Sequence, residues 1–341
     1  MLLLLIFILA IIIGCSSKDN KNNSNPKKQI TRKTMLENAK TWMYQIQGLD
    51  DDGAILKLAA TDYPMLVVEP TNTIVGAEDF DTKAMVRRLK KTAGGKRRLV
   101  LAYIDIGEAE DYRTYWQEDW KAPTDTGPGS PDYIVAKDPD GWSGNYPVAY
   151  WDKRWKKIWL GPEGLISSLA KDGFDGIYLD WVEAYDDERI IEVAEEQGVT
   201  PTDEMVEFVK ELKAAGQNIT TDFLVIGQNA PYLLDENSSY ANIIDALAVE
   251  DTWFSGEGDA QWDDPKGGDI ANSNEDDWTT ESLLKQYKKY LAAGIPVFSV
   301  DYILKEANAA QVYKDARKAG LRPVVTRVSL AKMTTTPPEN F

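Results

Sequence analysis

The sequence has no histidine and one cysteine among its 341 residues. Without histidine it cannot form a Ser-His-Asp or Cys-His catalytic arrangement, nor a histidine-ligated zinc or haem site. A single cysteine excludes an intrachain disulfide, a CxxC pair and a cysteine-based zinc or iron–sulfur site. The missing histidine also counts against a metal-dependent polysaccharide deacetylase, and no motif predicts a cofactor or a bound metal ion.

Positive charge is scarce. The chain carries 38 Lys and Arg against 55 Asp and Glu, a formal net charge of −17. Nucleic acids and anionic membrane surfaces are bound through clustered Lys and Arg. Neither is therefore predicted as a partner of the folded part of the chain.

The N-terminus has the pattern of a targeting segment. Residues 1–13 form one apolar run, too short for a transmembrane helix and typical of a signal peptide. The sequence IIGC that ends at Cys15 resembles a bacterial lipobox, which predicts removal of residues 1–14 and lipidation of Cys15. No Lys or Arg precedes the run, so an uncleaved short anchor stays the alternative. Residues 15–40 read as a flexible tether, and we expect an exported, lipid-anchored protein of the bacterial cell envelope.

The rest of the chain alternates between short apolar runs and amphipathic stretches. The runs predict eight strands: Trp42–Gln47, Met65–Glu69, Leu99–Asp105, Gly176–Asp180, Phe223–Gln228, Ala246–Glu250, Val297–Asp301 and Val324–Val328. The amphipathic stretches predict helices at Thr82–Lys91, Leu165–Lys171, Asp203–Ala215, Leu283–Ala293 and Ala309–Lys318, which end near Gly94, Gly173, Gly216, Gly294 and Gly320. This alternation predicts a (β/α)₈ TIM barrel over residues 41–332, with long loops after strands 3 and 6 and a tail at 333–341. A doubly wound open sheet is the alternative.

Polar residues stand at the ends of most predicted strands, where the active sites of such barrels lie. They are Gln47, Glu69, Asp105, Asp180, Gln228, Asn229, Glu250, Asp251, Asp301 and Tyr302. Asp180 ends strand 4 and Glu250 ends strand 6, so the two carboxylates can face each other across the barrel mouth. Glycoside hydrolysis needs such a pair, one to protonate the leaving oxygen and one to act as nucleophile or base.

Tryptophan is concentrated near these strand ends. Six of the 11 tryptophans fall in residues 106–160, and Trp181 and Trp253 follow the two acids closely. Aromatic rings stack on the apolar faces of sugars, so we expect Trp181 and Trp253 in the cleft. The residues Trp151, Trp155 and Trp159 recur at helical spacing, which favours packing instead.

Four segments together resemble glycoside hydrolase family 114. They are WMYQIQ near strand 1, YIDIGEAEDYRTYW near strand 3, GFDGIYLDWVEAY near strand 4 and IGQNA near strand 5. The resemblance covers about residues 41–330. It implies a (β/α)₈ barrel that cleaves α-1,4-linked galactosamine polymers, endo-acting and retaining, with Asp180 as nucleophile and Glu250 as general acid/base.

The same motifs imply further cleft residues. Those within them are Tyr44, Glu108, Tyr112, Arg113, Gln228 and Asn229. Asp105 stands where many relatives are expected to have serine, and this extra acid could alter subsite preference. An acidic rim of Glu69, Asp105, Glu108 and Asp301 would attract a cationic amino-sugar polymer.

Two other functions stay open. One is a non-catalytic, glycan-binding surface lipoprotein on the same scaffold, and the other is a glycosidase of different sugar specificity. A Schiff-base aldolase would need a lysine at a strand end, and none is there. The acidic loop 251–278 could bind calcium, although it lacks EF-hand spacing, and a mobile lid over the cleft is the favoured interpretation.

Overall fold

The structure is a computed structural model that describes residues 30–338. The predicted signal peptide and the lipidation site at Cys15 lie outside the described residues. Among residues 30–338, no helix is both long and apolar enough to cross a membrane.

Eight parallel strands form a nearly closed barrel. They are β1 (Met43–Gln45), β2 (Met65–Val68), β3 (Leu99–Asp105), β4 (Gly176–Asp180), β5 (Leu224–Gln228), β6 (Ala246–Glu250), β7 (Val297–Tyr302) and β8 (Arg322–Thr326). Neighbours in the sheet follow chain order throughout. The seam between the last and first strands is bridged by Trp42 Nε1, which donates to the Arg322 carbonyl at 3.0 Å. The predicted (β/α)₈ barrel is confirmed, and the doubly wound alternative is wrong.

Ten α-helices of the described chain accompany these strands. They are α1 (Arg32–Asn38), α2 (Ala54–Ala59), α3 (Thr82–Leu89), α4 (Lys153–Trp159), α5 (Leu165–Asp172), α6 (Glu188–Gln197), α7 (Pro201–Gln217), α8 (Leu233–Glu236), α9 (Thr280–Ala292) and α10 (Glu306–Lys318). All five predicted helices are confirmed. Gly173 ends α5 with φ of 99°, as expected of a helix terminus. Gly216 instead lies inside α7, where a side chain would collide with the Phe223 ring.

The predicted boundary at residue 41 is wrong, because α1 lies within the segment interpreted as a tether. Leu36 is fully buried. Arg32 Nε contacts a carboxylate oxygen of Asp175 beneath β4 at 2.6 Å. The folded unit therefore begins at Thr31. The tail also packs on the barrel, since the Thr336 carbonyl accepts from the Tyr313 hydroxyl at 2.8 Å.

Alternate residues of each strand point into the barrel. In β7 the side chains of Phe298, Val300 and Tyr302 join the inner aromatic cluster, whereas Val297 packs outward against the helices. This period of two follows from the pleat of a strand. It decides which side chain at each strand end reaches the cleft.

Both long loops carry a small antiparallel pair of strands. In the loop after β3, Glu108–Glu110 pairs with Asn145–Pro147, and in the loop after β6, Phe254–Ser255 pairs with Ile270–Ala271. A methyl group placed on Gly258 would lie 3.6 Å from the Trp142 ring. The two loops therefore meet at the barrel mouth.

The helix that contains Trp155 and Trp159 confirms the predicted packing role. Trp155 is fully buried and Trp159 nearly so. The Trp155 Nε1 donates to the Ile106 carbonyl at 3.0 Å, so α4 is fixed to the start of the β3 loop. Trp151 is half-buried against the same core.

Candidate active site

A cleft of about 410 Å³ opens at the carboxyl ends of the strands. Ten of the residues predicted for the site line it: Tyr44, Asp105, Glu108, Tyr112, Arg113, Asp180, Trp181, Gln228, Asn229 and Glu250. The carboxyl groups that line it are those of Glu69, Asp105, Glu108, Asp140, Asp180, Glu183, Glu250 and Asp259. Among the described lining residues, Arg113 carries the one positive charge. The cleft is therefore strongly acidic.

Asp180 lies at the end of β4 and points inward with Tyr178. Its Oδ2 accepts a hydrogen bond of 2.5 Å from the Tyr103 hydroxyl, and its Oδ1 accepts from the Trp181 backbone N–H at 2.8 Å. The neighbouring β3 places Asp105 in register with Asp180. The carboxylate is thus held by one phenol and one backbone group, with an acid beside it.

Glu250 lies at the end of β6 and is bound by more donors. Its Oε1 accepts from the Tyr302 hydroxyl at 2.5 Å. Its Oε2 accepts from Asn229 Nδ2 at 3.0 Å and from Gln228 Nε2. Asn229 also accepts the Glu250 backbone N–H at 2.8 Å. Strands β5, β6 and β7 together fix this carboxylate.

The chain turns sharply after three of the strands that build the site. Trp181, Asn229 and Asp251 have φ of 55°, 51° and 53°, in the left-handed region that non-glycine residues seldom adopt. Each follows directly on a strand. Strained backbone of this kind clusters at functional sites, and here it lets the chain leave the strand while Asp180 and Glu250 keep pointing inward.

Burial raises the pKa of both central acids. The pKa of Asp180 is raised to about 7 by burial and then by the negative charge of Glu250, against the Tyr103 hydrogen bond. Burial also raises the pKa of Glu250, whereas its hydrogen bonds from Tyr302, Asn229 and Gln228 lower it. Two interacting carboxyls lose their protons in separate steps. The pair therefore keeps a proton to higher pH than two isolated carboxyl groups would.

Two more acids adjoin this pair. Asp105 is 1% exposed, and its Oδ1 accepts the backbone N–H groups of Gly107 and Glu108 at 3.0 and 2.9 Å. Glu183 lies in the short helix after β4 and presents one buried carboxylate oxygen that has no hydrogen-bond partner among residues 30–338. Burial and the Asp180 charge raise its pKa well above the usual range. The sequence analysis missed Glu183 because it lies outside any strand end.

Arg113 lines the cleft, but its guanidinium is engaged by neighbouring acids. It contacts Glu110 Oε2 at 2.7 Å and Glu69 Oε1 at 2.5 Å, and it donates to Thr73 Oγ1 at 3.0 Å. The Tyr112 hydroxyl completes the group by donating to Glu110. Arg113 therefore positions the loop after β3, and its charge is neutralised within the protein.

Two predicted site residues, Asp301 and Trp253, do not line the cleft. Asp301 is the outward-facing neighbour of Tyr302, and its Oδ1 accepts the backbone N–H groups of Trp253 and Phe254 at 2.7 and 2.9 Å. Trp253 packs against an outer cluster that includes Ile303. Asp301 therefore caps a loop, and the inward residue of the same strand end is Tyr302.

Of the two tyrosines that bind the acids, Tyr302 was predicted only as a strand-end residue and Tyr103 was not predicted. Tyr103 lies two residues before Asp105 and Tyr302 directly after Asp301, so alternation counted from the inner residues of β3 and β7 could have assigned both to the cleft. Other lining residues that were missed are Ile46, Ile74, Asp140, Trp142, Ser143, Asn145, Asp259, Val328, Ser329 and Leu330. Most of them lie in loops, where no periodic pattern marks them. Asn145 begins a small strand of the loop after β3, and Ile46 and Val328 fall inside predicted strands but were not assigned to the cleft.

Three or more carboxylate or thiolate side chains are nowhere grouped as a metal site within residues 30–338. The same holds for the acidic loop 251–278.

Comparisons with known proteins place this geometry in context. The model of glycoside hydrolase family GH114 matches residues 21–340. An uncharacterized protein of Deinococcus radiodurans is 29% identical over 303 residues, which cover 89% of this chain and 85% of that protein. One of Methanocaldococcus jannaschii is 30% identical over 272 residues, covering 74% and 72%.

Two solved structures share the fold. The glycoside hydrolase domain of PelA from Pseudomonas aeruginosa superposes with a TM-score of 0.57 at 15% identity, over 85% of this chain and 95% of that one. Aspergillus fumigatus Ega3, solved in complex with galactosamine, superposes with a TM-score of 0.54 at 14% identity, over 86% and 93%. At these identities the likeness concerns the barrel alone.

Proposed function

Since this chain belongs to glycoside hydrolase family GH114 and is a glycoside hydrolase, we propose that it cleaves an α-1,4-linked polysaccharide that contains galactosamine. The observation that carries the proposal is the cleft itself, which sets two inward-facing carboxyls among further acids. Endo-action and retention of anomeric configuration are part of the proposal. The galactosamine bound to the structurally similar Ega3 supports this sugar class.

The charge of the cleft favours a cationic substrate. Its eight carboxyl groups face one guanidinium that is already paired with Glu69 and Glu110. A polymer with free amino groups carries ammonium charges at neutral pH, and such charges are attracted most strongly at low ionic strength. A neutral or anionic polysaccharide would gain nothing from this lining.

In the proposed mechanism the polymer lies across the strand ends. Asp180 attacks the anomeric carbon as the bond to the glycosidic oxygen breaks, and Glu250 donates its proton to that oxygen. Water then attacks the glycosyl–Asp180 ester while Glu250 takes a proton from it. The shared proton of the pair supplies the required starting state, one acid and one carboxylate.

The hydrogen bonds around Glu250 favour the reverse division of roles. Tyr302, Gln228 and Asn229 all donate to Glu250, and donors stabilise a carboxylate over its protonated form. A nucleophilic Glu250 is therefore the second assignment to test. Aryl glycosides with good leaving groups separate the two, because they need no protonation. A variant that lacks only the general acid keeps turnover on them, and one that lacks the nucleophile does not.

The first prediction concerns the two acids. We expect Asp180→Asn and Glu250→Gln each to lower turnover of partly deacetylated α-1,4-galactosamine polymer by about 10³-fold or more, while both stay folded. Product release is measured by reducing-end assay and folding by thermal unfolding. Near-normal turnover by either variant would remove that residue from the mechanism. No release by wild type from this polymer would contradict the substrate class.

Where the enzyme acts is a separate proposal. If Cys15 is lipidated as its sequence context predicts, the barrel is held at the bacterial cell envelope. Radiolabelled fatty acid should then enter the wild-type chain and not Cys15→Ala, and an unlabelled wild type would contradict the anchor.

A further inference from the structure

The floor of the barrel, which is the end opposite the cleft, carries a concentration of positive charge. Residues 87–98 run from the last turn of α3 to the start of β3 and contain seven Lys or Arg among 12 residues, without an acid. In the whole chain acids outnumber Lys and Arg by 55 to 38. The overall composition therefore conceals a basic segment, and the fold decides which surface it occupies.

This segment is fixed to the barrel by a tight turn. The Thr92 backbone N–H donates to the Lys96 carbonyl and the Arg98 backbone N–H to the Lys90 carbonyl, both at 2.9 Å. Arg98 is fully buried, and its Nη1 donates to the Leu58 carbonyl at 3.0 Å. One arginine thus anchors the turn in the interior, and the turn holds the other cations at the surface.

The start of α1 lies against the same turn. The Asp175 carboxylate contacts Arg32 of α1 at 2.6 Å, Lys90 at 2.5 Å and Arg97 at 2.6 Å. One buried acid therefore joins the first helix to the basic turn and brings their cations to one surface. This surface, the floor patch, consists of Arg32, Lys33, Arg87, Arg88, Lys90, Lys91, Lys96 and Arg97.

Most of the exposed cations in the floor patch have no acidic partner. Those that are exposed and form no ion pair with a carboxylate within residues 30–338 are Lys33, Arg87, Arg88, Lys91 and Lys96. Three acids contact this part of the molecule. Asp175 and Asp222 contact Arg32, and Asp62 accepts the Gly94 backbone N–H at 2.8 Å. Eight cations against these three acids leave the floor patch with a net positive charge.

The two ends of the barrel thus carry charge of opposite sign. The cleft is lined by eight carboxyl groups and one guanidinium, whereas the floor patch is basic. An anionic surface attracts the basic end of such a molecule and repels the acidic end, so it orients the barrel. Exposed Lys and Arg side chains spread over one face suit a flat, multiply charged surface, which several of them can contact together.

The chain reaches the floor patch from the predicted lipid anchor. Fifteen residues, 16–30, separate Cys15 from Thr31, and they contain four lysines and one acid. A chain of this length spans at most about 50 Å. Because α1 begins at Arg32, which belongs to the floor patch, a lipid on Cys15 would hold this end of the barrel within reach of the bilayer.

We propose that the floor patch binds the anionic lipid headgroups of the membrane in which Cys15 is predicted to be anchored, so that the cleft is turned away from the bilayer. The net charge of the whole chain gives the opposite expectation for membrane surfaces, because it averages over two ends of opposite sign. Polymer outside the membrane then enters the cleft without passing between enzyme and lipid. The inference does not depend on the reaction that the cleft catalyses.

The test measures binding to vesicles without the help of a lipid anchor. The chain from Ser16 to Phe341 lacks Cys15 and keeps the folded unit, which begins at Thr31. We compare its sedimentation with vesicles of phosphatidylcholine alone and with vesicles of equal parts phosphatidylcholine and phosphatidylglycerol. It should bind only the anionic vesicles, and added salt should release it. No binding to anionic vesicles at low ionic strength would overturn the proposal.

A first variant removes charge from the floor patch without breaking an ion pair. It combines Arg87→Gln, Arg88→Gln, Lys91→Gln and Lys96→Gln. Because each basic residue near an anionic surface adds to the attraction, we expect partition into anionic vesicles to fall about 100-fold or more. All four side chains are exposed, so the melting temperature should stay near that of the unsubstituted chain. Unchanged partition would overturn the proposal.

A matched control removes the same charge from other surfaces. It combines Lys121→Gln, Lys153→Gln, Lys157→Gln and Lys288→Gln, all at exposed positions of the loop after β3, α4 and α9. We expect partition to fall less than about threefold, since charges beyond the Debye length are screened. A loss equal to that of the floor variant would show a general effect of net charge and would overturn the proposal.

The lysines that precede α1 are tested in the same way. A third variant combines Lys18→Gln, Lys21→Gln, Lys27→Gln and Lys28→Gln. If this variant loses binding while the floor variant keeps it, the segment before the barrel binds the membrane and the floor patch does not. The reverse result supports the proposal.

The orientation of the barrel is measured with a dye on a single thiol. In the chain that lacks Cys15, Ala93→Cys places the only thiol in the floor turn, and Gln261→Cys places it in the loop at the barrel mouth; both positions are exposed. Anionic vesicles should shift the emission of a polarity-sensitive dye at residue 93 and leave the emission at residue 261 unchanged. Equal shifts, or a larger shift at residue 261, would overturn the orientation.

A soluble polyanion is the competing occupant of the floor patch. Polyphosphate offers repeated negative charge without a bilayer, and we compare it with vesicles at equal phosphate concentration. We expect the chain to bind the vesicles more tightly. Tighter binding to polyphosphate that the floor variant loses would assign the patch to a soluble polyanion and overturn the membrane proposal.

Discussion

The two ends of β4 carry the same kind of side chain in opposite surroundings. Asp175 precedes the strand at the barrel floor, is fully buried, and contacts Arg32, Lys90 and Arg97 at 2.5–2.6 Å. Asp180 ends the strand in the cleft and receives hydrogen bonds from Tyr103 and its own backbone turn. Asp175 is surrounded by cations, whereas Asp180 faces a second acid, Glu250.

Their pKa values differ accordingly. Burial acts to raise the pKa of Asp175, but the charges and hydrogen bonds of Lys90, Arg32 and Arg97 outweigh it and lower the pKa. At Asp180 burial acts in the same direction without such compensation, and the charge of Glu250 adds to it, so the pKa rises to about 7. At the floor of the barrel, ion pairs hold the structure together. In the cleft, the acids have no cation beside them and can act on a substrate.

Breaking the floor should have the largest effect on stability. Asp175→Asn removes the buried charge that two half-buried cations, Arg32 and Lys90, share with the exposed Arg97, and loss of one partner of a buried ion group typically costs about 3–5 kcal/mol. We expect the free energy of unfolding to fall by about that much, measured by urea denaturation. The kcat of the folded enzyme should stay near the wild-type value, because the site lies at the opposite end of the strand.

The control for this prediction uses the same arginine. Asp222 also contacts Arg32 but is 42% exposed, and exposed ion pairs contribute about 0–1 kcal/mol. Asp222→Asn should therefore lower stability by less than about 1 kcal/mol. Equal losses in the two variants would contradict the contrast between a buried and an exposed partner of Arg32.

Removing the acid at the cleft end should change stability in the opposite direction and with the opposite dependence on pH. Asp180 has a folded-state pKa of about 7 against 3.8 for the ordinary side chain. As pH rises from about 4 to about 7, the unfolded chain releases this proton while the folded chain keeps it, so wild-type stability falls across that window. At about 1.4 kcal/mol per pKa unit, we expect Asp180→Asn to gain stability relative to wild type by about 4 kcal/mol between pH 4 and pH 8.

This difference is measured by urea denaturation of both proteins at both pH values, so that effects independent of pH cancel. Asp175 has a lowered pKa, so its contribution is present at neutral pH and is lost as pH falls through the folded-state value. The destabilisation by Asp175→Asn should accordingly shrink on acidification. Slopes of the same sign at Asp175 and Asp180 would contradict the comparison.

The sequence predicts those features of the fold and the site that hydrophobic periodicity or a position at a strand end marks. All eight barrel strands, the five predicted helices, Asp180 and Glu250 follow from local patterns and from the resemblance to a family. The α1 helix was not predicted, because its short, polar sequence is stabilised by the burial of Leu36 and by the contact with Asp175. Such tertiary contacts leave no local signal.

The errors within the site have a common physical cause. Asp301 was predicted for the cleft, and its neighbour Tyr302 lies there, because a shift of one residue moves a strand side chain to the other face. The prediction for Trp253 was wrong as well, because the Asp301 carboxylate accepts its backbone N–H and holds it in an outer loop. Asp140, Trp142 and Glu183 lie outside the strands, where the chain's path depends on the whole fold.

The smallest effect should come from the hydroxyls that bind the two central acids. Tyr103→Phe removes the donor to Asp180, and Tyr302→Phe removes a donor to Glu250. Each change raises the pKa of the acid concerned, since both hydrogen bonds lower it. We expect turnover to fall about tenfold in each variant, which corresponds to about 1.4 kcal/mol.

The pH–rate profile shows which acid each tyrosine serves. With Asp180 ionised and Glu250 protonated in the reacting state, Tyr103→Phe should move the acidic limb of the profile to higher pH, and Tyr302→Phe the basic limb. Tyr178→Phe is the matched control, because the Tyr178 hydroxyl has no hydrogen-bond partner among the described residues, and neither limb should move. An exchange of the limbs between Tyr103→Phe and Tyr302→Phe would make Glu250 the nucleophile. The cleft end of β4 would then still differ from the floor, but Asp180 would be the proton donor, a role that its raised pKa favours.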